Sequence, residues 1–526
     1  MKLKHRWTFD IHQALALVAV ALCAWLFVGA ASGCAEGDLL AKGIVVVALE
    51  SNPTTLDPRL ATDASSARIV QLLFNGLLRK DPSGRLVPDL ADSWDQKDEV
   101  TYVFHLKKGV RFHDGSECDA GDVVSTFRSI MDPSFGSPLR GSFAMVAAVD
   151  ALDDSTVRFR LKEPFASFLV SLDVGIVPSA MAESRQEDSS AHPIGTGPFR
   201  FVSWQRGEAV RLEANPSYFE GRPRLQGLHF KVILDSTVRV LQLRKGTVHL
   251  LQNEIEPAML EDLERRARFR TIKSEGTSYS YLGFNLRDPI LKSLEVRKAI
   301  AHAIDRQALI DHLLGGLAIP ATGVLSPMNW AYEKDVTTYE YDPQKARRLL
   351  DEAGYPDPDG EGPAKRFELS YKTSQNDIRR RIGEALQAQL EKVGIGIDMR
   401  SYEWATFFSD IRNGNFQLYT LSWVGITDPD IFHYLFHSKS VPPHGANRGY
   451  YSNERVDALI TAARRTQDPL VRKGLYSAVQ KILADELPYV SLWYSMNVVV
   501  MDARIRGFQP YPSGDLISLK DVWIEQ

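Results

Sequence analysis

Cysteine is almost missing from this chain: 526 residues carry three, Cys23, Cys34 and Cys118. Three cysteines build no disulfide framework, so the folded body must stand on its hydrophobic cores. Charge of one sign is missing too. A net charge of -4 speaks against a nucleic-acid partner and against a charged membrane face. The marked apolar run, Ala14 to Val28, falls short of the roughly 20 residues that cross a bilayer. Signatures of bond-making chemistry are absent as well. No Gly-X-Ser-X-Gly elbow occurs. Pro193 to Phe199 gathers two glycines and two prolines, but without the lysine and following helix of a phosphate loop. His433 and His437 stand four apart, a spacing that places two imidazoles on one helix face, yet Tyr434 occupies the place of a metalloprotease glutamate. Cys118 sits among Glu117 and Asp119, which disfavour a thiolate. No metal and no cofactor is expected.

What is present begins with a leader. Lys2, Lys4 and Arg6 precede the apolar run, and Ala31-Ser32-Gly33 precede Cys34. Residues 1–34 read as an export signal with a lipoprotein-like cleavage site, leaving Cys34 as a lipidated first residue. Ala31 stands where that pattern usually has leucine, so simple cleavage and an uncleaved anchor stay open. Residues 35–42 then form a linker.

The remaining length is too great for one core, and two or three domains are expected. The chain is organised around Tyr281 to Leu314. Tyr281 to Leu286 reads as a buried strand with Gly283 inside it, and apolar residues from Leu294 to Leu314 recur at helical spacing up to Gly315-Gly316. A strand leaving one body and a helix starting another suggests a crossing between lobes; an ordinary strand-loop-helix is the alternative. Strands alternate with helices on both sides, which argues for two α/β lobes. Lobe I is expected over 43–285 plus 497–526, with a β-rich subdomain at about 85–190. Lobe II is expected over 286–496. The tail from Val498 re-enters lobe I, giving more than one crossover.

An ordered set of segments then carries a resemblance. It includes Gly76-Leu77-Leu78, Leu86 to Trp94, Thr101 to Leu106, Gly109 to Gly115, Asp122-Val123-Val124, Gly195 to Phe199, Asn215 to Phe219 and Gly283-Phe284-Asn285. Arg297-Lys298-Ala299, Ala303 to Arg306, Ala353 to Pro356, Tyr451-Ser452-Asn453 and Pro488-Tyr489-Val490 continue it. Together they resemble the extracellular solute-binding proteins of family 5, the peptide, dipeptide and nickel receptors of bacterial ABC importers. The resemblance implies an α/β, two-lobed periplasmic-binding-protein-like fold (type II, large cluster C form) with an extra β-rich subdomain in the first lobe. It also implies a solute enclosed by hinge closure.

Site residues follow from the same likeness. In peptide-binding relatives the loop after a tryptophan carries an aspartate for the ligand's amino group; here Ile426 stands at that place after Trp423. Asp428 or Asp430 substitutes for it, or both merely start the next helix. Arg380 matches a helix position that holds a ligand carboxylate, against the plainer reading of a solvated arginine. Ser51, Asn52 and Thr54 match a first-lobe loop that lines the cleft. Trp404, Trp423, Tyr279, Tyr281 and Trp330 offer flat walls or core packing, and Asn285 bonds ligand or backbone. The expected function is a periplasmic or envelope-located receptor, not an enzyme. It captures a peptide or peptide-like solute and passes it to an ABC permease in the inner membrane. The body is a monomer, held to a membrane by its lipid. An envelope hydrolase acting on peptides and a non-transport envelope chaperone are the other classes.

Overall fold

The computed structural model describes residues 38–183, 192–360 and 362–525. The expected leader 1–34, including Cys34, lies outside the described residues. No helix among those described is long and apolar enough to cross a membrane.

One sheet of eleven strands runs through the molecule. Its middle is made by two long strands, Phe269–Phe284 and Tyr489–Asp502, paired antiparallel. On one side of them lie Leu250–Gln252, Ile44–Leu49, Gly227–Val232, Ala209–Ala214 and Phe199–Gln205. On the other side lie Leu418–Trp423, Phe367–Ser374 and Ile395–Tyr402, and the short strand Ala318–Pro320 pairs with Tyr489–Asp502 off this path. The two halves of the sheet are the floors of the two lobes.

Why the strands look uniformly apolar in sequence is clear from their packing. Val45, Val47 and Leu49 face a core with Ile69, Leu72 and Leu73 of the helix Ala64–Leu73. Val46 and Ala48 face the opposite core with Val240 and Leu243. A sheet covered on both faces cannot alternate apolar with polar residues. The second lobe repeats this plan. Leu282 and Phe284 pack with Val296, Ile300 and Leu386 on one face, while Tyr279, Tyr281 and Leu421 pack with Phe432, Leu435 and Tyr476 on the other.

A separate four-stranded antiparallel sheet, ordered Ala91–Asp98, Thr101–Leu106, Thr156–Leu161, Val146–Asp153, has its own core. There Phe127 meets Phe143 and Phe159 edge-on at 5.1 and 5.0 Å, the geometry that ring quadrupoles favour.

Pairing between the two long strands shifts register twice, first after Glu275 and again after Ser280. Pairing runs from Phe269 opposite Asp502 to Glu275 opposite Met496, then resumes at Ser278 opposite Ser495. Gly276 and Thr277 form the bulge. A Cβ on Gly276 would stand 2.5 Å from the Ser495 carbonyl oxygen, so only glycine lets the strands stay this close. The apolar helical pattern from Leu294 to Leu314 turns out to be two helices, Leu294–Ala303 and Arg306–Leu313. Asp305 makes the break by accepting the Ala308 N–H with its side chain, which starts a new helix instead of continuing the old one.

Candidate functional site

The candidate site is taken where the two halves of the large sheet meet, with the bulge behind it. Thr277 N–H donates to the Pro512 carbonyl of the C-terminal segment, and its own carbonyl accepts from Ile426 N–H. The loop after Trp423 is thereby hung on the bulge. Gly425 takes a positive φ of 68° and passes close to Ser513. On the first lobe, Arg68 bonds Glu50 at 2.6 Å and donates to the Gly514 carbonyl, which also accepts from Gln252. The strand end at Glu50 and the turn at Gly514 therefore make one edge. Ser51 and Asn52 follow on it, both exposed. The Ser51 hydroxyl lies 2.8 Å from that of Ser65. Thr54 differs, because its hydroxyl donates to Asp63 and its N–H to Ser66, fastening the start of the next helix.

A second set of contacts joins the β-rich subdomain to the second lobe. Ser167 donates to Asp428 at 2.8 Å and accepts from Arg472 at 2.5 Å, while Arg472 lies 3.5 Å from Asp428. Ala166 N–H donates to the Arg464 carbonyl, and the Arg464 guanidinium stacks 4.9 Å from the Phe165 ring centroid. Gln467 donates to the Tyr102 hydroxyl, and Arg465 pairs with Glu163 at 2.5 Å. Asp430 lies 2.9 Å from Arg464. Burial pushes the Asp430 carboxyl up to about 6, with Arg464 pulling the other way. Asp428 and Asp430 each face an arginine across this seam.

Near this seam, Lys80 bonds Asp173 at 3.1 Å. Burial works against its charge, but Asp173, Asp515 and Asp428 hold its pKa above the ordinary lysine range. Lys80, Asp173, Tyr511 and Asp515 border a cavity of about 280 Å³ behind the first-lobe edge, closed by Gln71 and Phe74.

The aromatic candidates separate into two layers. Tyr279 and Tyr281 are fully buried, the first bonded to Ser491 at 2.8 Å and the second stacked 4.2 Å from Tyr489. They form the floor beneath the surface. Trp423 lies on top, edge-on to Tyr434 at 6.0 Å, and its buried indole Nε1 has no partner among the described residues. Trp404 is half exposed and stacks on Phe408 at 5.5 Å. Trp330 is also exposed, 5.3 Å from the Arg472 guanidinium. Two further candidates lie apart from this wall. The Asn285 amide donates to the Gly414 and Phe416 carbonyls and accepts from Arg287 N–H, so it is a loop fastener. Arg380 bonds Glu384 at 2.5 Å and faces Asp377 at 3.5 Å, both on its own helix Asp377–Glu391. The i, i+4 glutamate takes the fork that a ligand carboxylate would need.

Several seam residues carry no signal in a single sequence. Ser167, Arg464, Gln467 and Arg472 are ordinary polar positions until the fold brings them across a gap. Arg448 does carry a signal: it lies among Asn447, Gly449 and Tyr450, just before the family-like Tyr451-Ser452-Asn453. It is buried beside Trp423, 4.9 Å from that ring centroid.

The profile of the bacterial extracellular solute-binding proteins, family 5 (middle region), matches residues 85–442. The chain belongs to this family. The oligopeptide-binding protein AppA of Bacillus subtilis is 30% identical over 97% of this chain and 98% of its own. The solved structure of AppA in complex with a nonapeptide superposes with a TM-score of 0.81 at 30% identity, covering 92% of this chain and 99% of that one. NikZ of Campylobacter jejuni, solved with Ni(L-His), gives a TM-score of 0.82 at 27% identity, over 91% of this chain and 99% of its own. The dipeptide-binding protein of Escherichia coli is 28% identical over 89% of this chain and 92% of its own.

In this family 5 member most of the motif residues prove to be scaffold. Gly195 and Gly197 lie against the helix end at Leu73, where Cβ atoms would come within 2.0 Å of the Leu73 carbonyl oxygen and 2.4 Å of its carbonyl carbon. Thr196 donates to Asn75, which in turn donates to Asp89. His113 accepts from Gly195 N–H and bonds the Gly197 carbonyl with its other nitrogen. Arg297 donates to the carbonyls of Leu291, Lys292, Glu486 and Leu487, and so ties a helix start to a helix end. Cys118 is buried, and burial raises its thiol pKa well above the ordinary value. His433 and His437 lie 4.7 Å apart between ring centroids. Among the described residues no group of three or more His, Cys, Asp or Glu side chains is placed to hold a metal ion.

Proposed function

We propose that the protein is the solute receptor of an ABC importer. It captures a peptide or peptide-like solute between the lobes and delivers it to a membrane permease. The observation that carries this is the pairing of a two-stranded bridge, bulged at Gly276 and Thr277, with a set of small polar contacts across the seam. A bridge that narrow bends, and contacts that polar come apart into water. A solute touching both lobes then stabilises the closed state by its differential affinity. The names of the relatives, one binding oligopeptides and one dipeptides, support the peptide class.

The same reading takes lobe I to end at the bulge and resume near Asn497, with lobe II between. That is earlier in the chain than the 285 expected from pattern. It keeps Cys34 as a lipidated first residue that tethers the body, and the body as a monomer. The test is a thermal-shift screen of di- to pentapeptides, glutathione, opines and nickel chelates with scattering on each hit. A true ligand at 100-fold its Kd adds about 2.7 kcal/mol and reduces the radius of gyration. Turnover of labelled peptides, or no shift with any solute, would overturn the reading.

A further inference from the structure

The buried arginines of this protein are provided with acceptors. Arg59 meets Asp57 through two nitrogens. Arg297 has its four carbonyl bonds, and Arg306 donates to the carbonyls of Ala321, Tyr339 and Ser491. Arg239 donates to Ile233, Leu234 and Glu254. Arg448 is different. It is 7% exposed, yet its guanidinium makes one long bond, 3.4 Å to the Tyr281 hydroxyl, and among the described residues no carboxylate lies within ion-pair distance. Its surroundings are rings: Trp423 at 4.9 Å and Phe408 at 5.1 Å. The ionisable groups around it are the phenols of Tyr281, Tyr419, Tyr489 and Tyr434. Aromatic faces attract a cation but leave its N–H groups without acceptors. A buried cation short of acceptors is costly unless something else supplies them.

A second donor stands beside it. The Trp423 indole Nε1 is buried and has no partner among the described residues. Trp423 ends the strand Leu418–Trp423 and leads into the loop fastened to Thr277, so both groups stand at the seam. The carboxylates nearby already face cations, because Asp428 is held by Ser167 and Arg472, and Asp430 lies 2.9 Å from Arg464. Arg448 and the Trp423 indole are then the donors left at this corner, and a planar guanidinium fork suits a carboxylate.

Building on the receptor reading, we infer that the solute presents a carboxylate, not an amine, to the Trp423 corner. Arg448 and the Trp423 indole hold it there. The substrate class is then peptides or amino-acid conjugates with a free acid, and a blocked amine is tolerated. This is the reverse of the amine-binding loop that the resemblance implies.

The experiment uses the full-length protein and one set of tri- to pentapeptides in three forms: free acid, C-terminal amide and N-acetylated acid. Titration calorimetry reads affinity for each. Free and N-acetylated acids are expected to bind alike, and amides about 10- to 100-fold more weakly, the scale of one lost charge-assisted bond. Arg448→Met is expected to bring the acids down to the level of the amides. Arg448→Lys is expected to recover part of the loss. If Arg448→Met does not fold, the acid-to-amide ratio of the unaltered protein decides alone. Amides binding as tightly as acids, or loss of binding on acetylation, overturns the carboxylate inference and leaves the receptor reading intact. If none of the three forms binds, the peptide-receptor reading itself falls, and this inference with it.

Discussion

At Gly195 the constraint is distance to the backbone of another element. A methyl group there would meet the Leu73 carbonyl at 2.0 Å, and neither chain can move without shifting the helix Ala64–Leu73. Gly195→Ala is expected to destabilise the protein by about 2–3 kcal/mol, read as a lower urea midpoint at unchanged slope. The neighbouring His113 makes a pH prediction. Burial depresses its pKa to about 4, from 6.5 in the unfolded chain. Its contribution to stability is therefore fully present above pH 6.5 and is lost as the pH falls from 6.5 toward 4. Protonation of the nitrogen that accepts from Gly195 also removes that bond. Melting temperature measured from pH 4 to 7 should fall more steeply in acid for the native protein than for His113→Asn. Parallel curves would refute the assignment. Asp89 and Asp430, both raised to about 6 by burial, act with the opposite sign between pH 6 and 4, which is why the comparison of two proteins is needed. The motif residues were legible in sequence as motifs, but their work was not. Gly195 to Phe199 reads as an unusual turn, whereas the partner that demands glycine is more than a hundred residues away.

The elements were largely readable because their signals are local. The Ile44–Leu49 strand is a continuous apolar run covered on both faces, and Gly315-Gly316 does end a helix with φ of 59° and 74°. Asp119 caps its helix from outside: its side chain accepts from Gly121 and Asp122, so the helix is Ala120–Met131. The Asp305 break is hidden in sequence, since apolar spacing is nearly continuous across it and the cap is one side chain. The seam was not legible, because Ser167 and Arg472 are 305 positions apart. Two predictions belong to these elements. Arg472→Met leaves Asp428 with Ser167 and the Asp430 N–H but no cation, so the closed form loses a contact that the open form lacks. Ligand affinity should drop about tenfold, with a larger radius of gyration at equal ligand. Gly276→Val sets a branched side chain against the Ser495 carbonyl. Hydrogen exchange should quicken at Ser274 to Ser278 and at Met496 while the lobe cores stay protected.

For the whole molecule, the proposed division makes the second lobe an insertion into the first. All its strands lie between Ser278 and Ser495, and the residues flanking the insertion, Glu275 and Met496, are directly paired. Excision of 276–495 with an Asn-Gly turn closing Glu275 to Met496 should leave a folded lobe I, because that dipeptide suits a two-residue hairpin. A cooperative thermal transition with native-like circular dichroism checks this; a molten product would mean that the lobes need each other to fold. The double strand also governs direction. Two hydrogen-bonded ribbons side by side flex readily out of their common plane and resist sliding or skewing within it. Opening should therefore trace a single arc, like a lid on a leaf spring. A cargo molecule then enters and leaves through one mouth, along the edge farthest from Gly276.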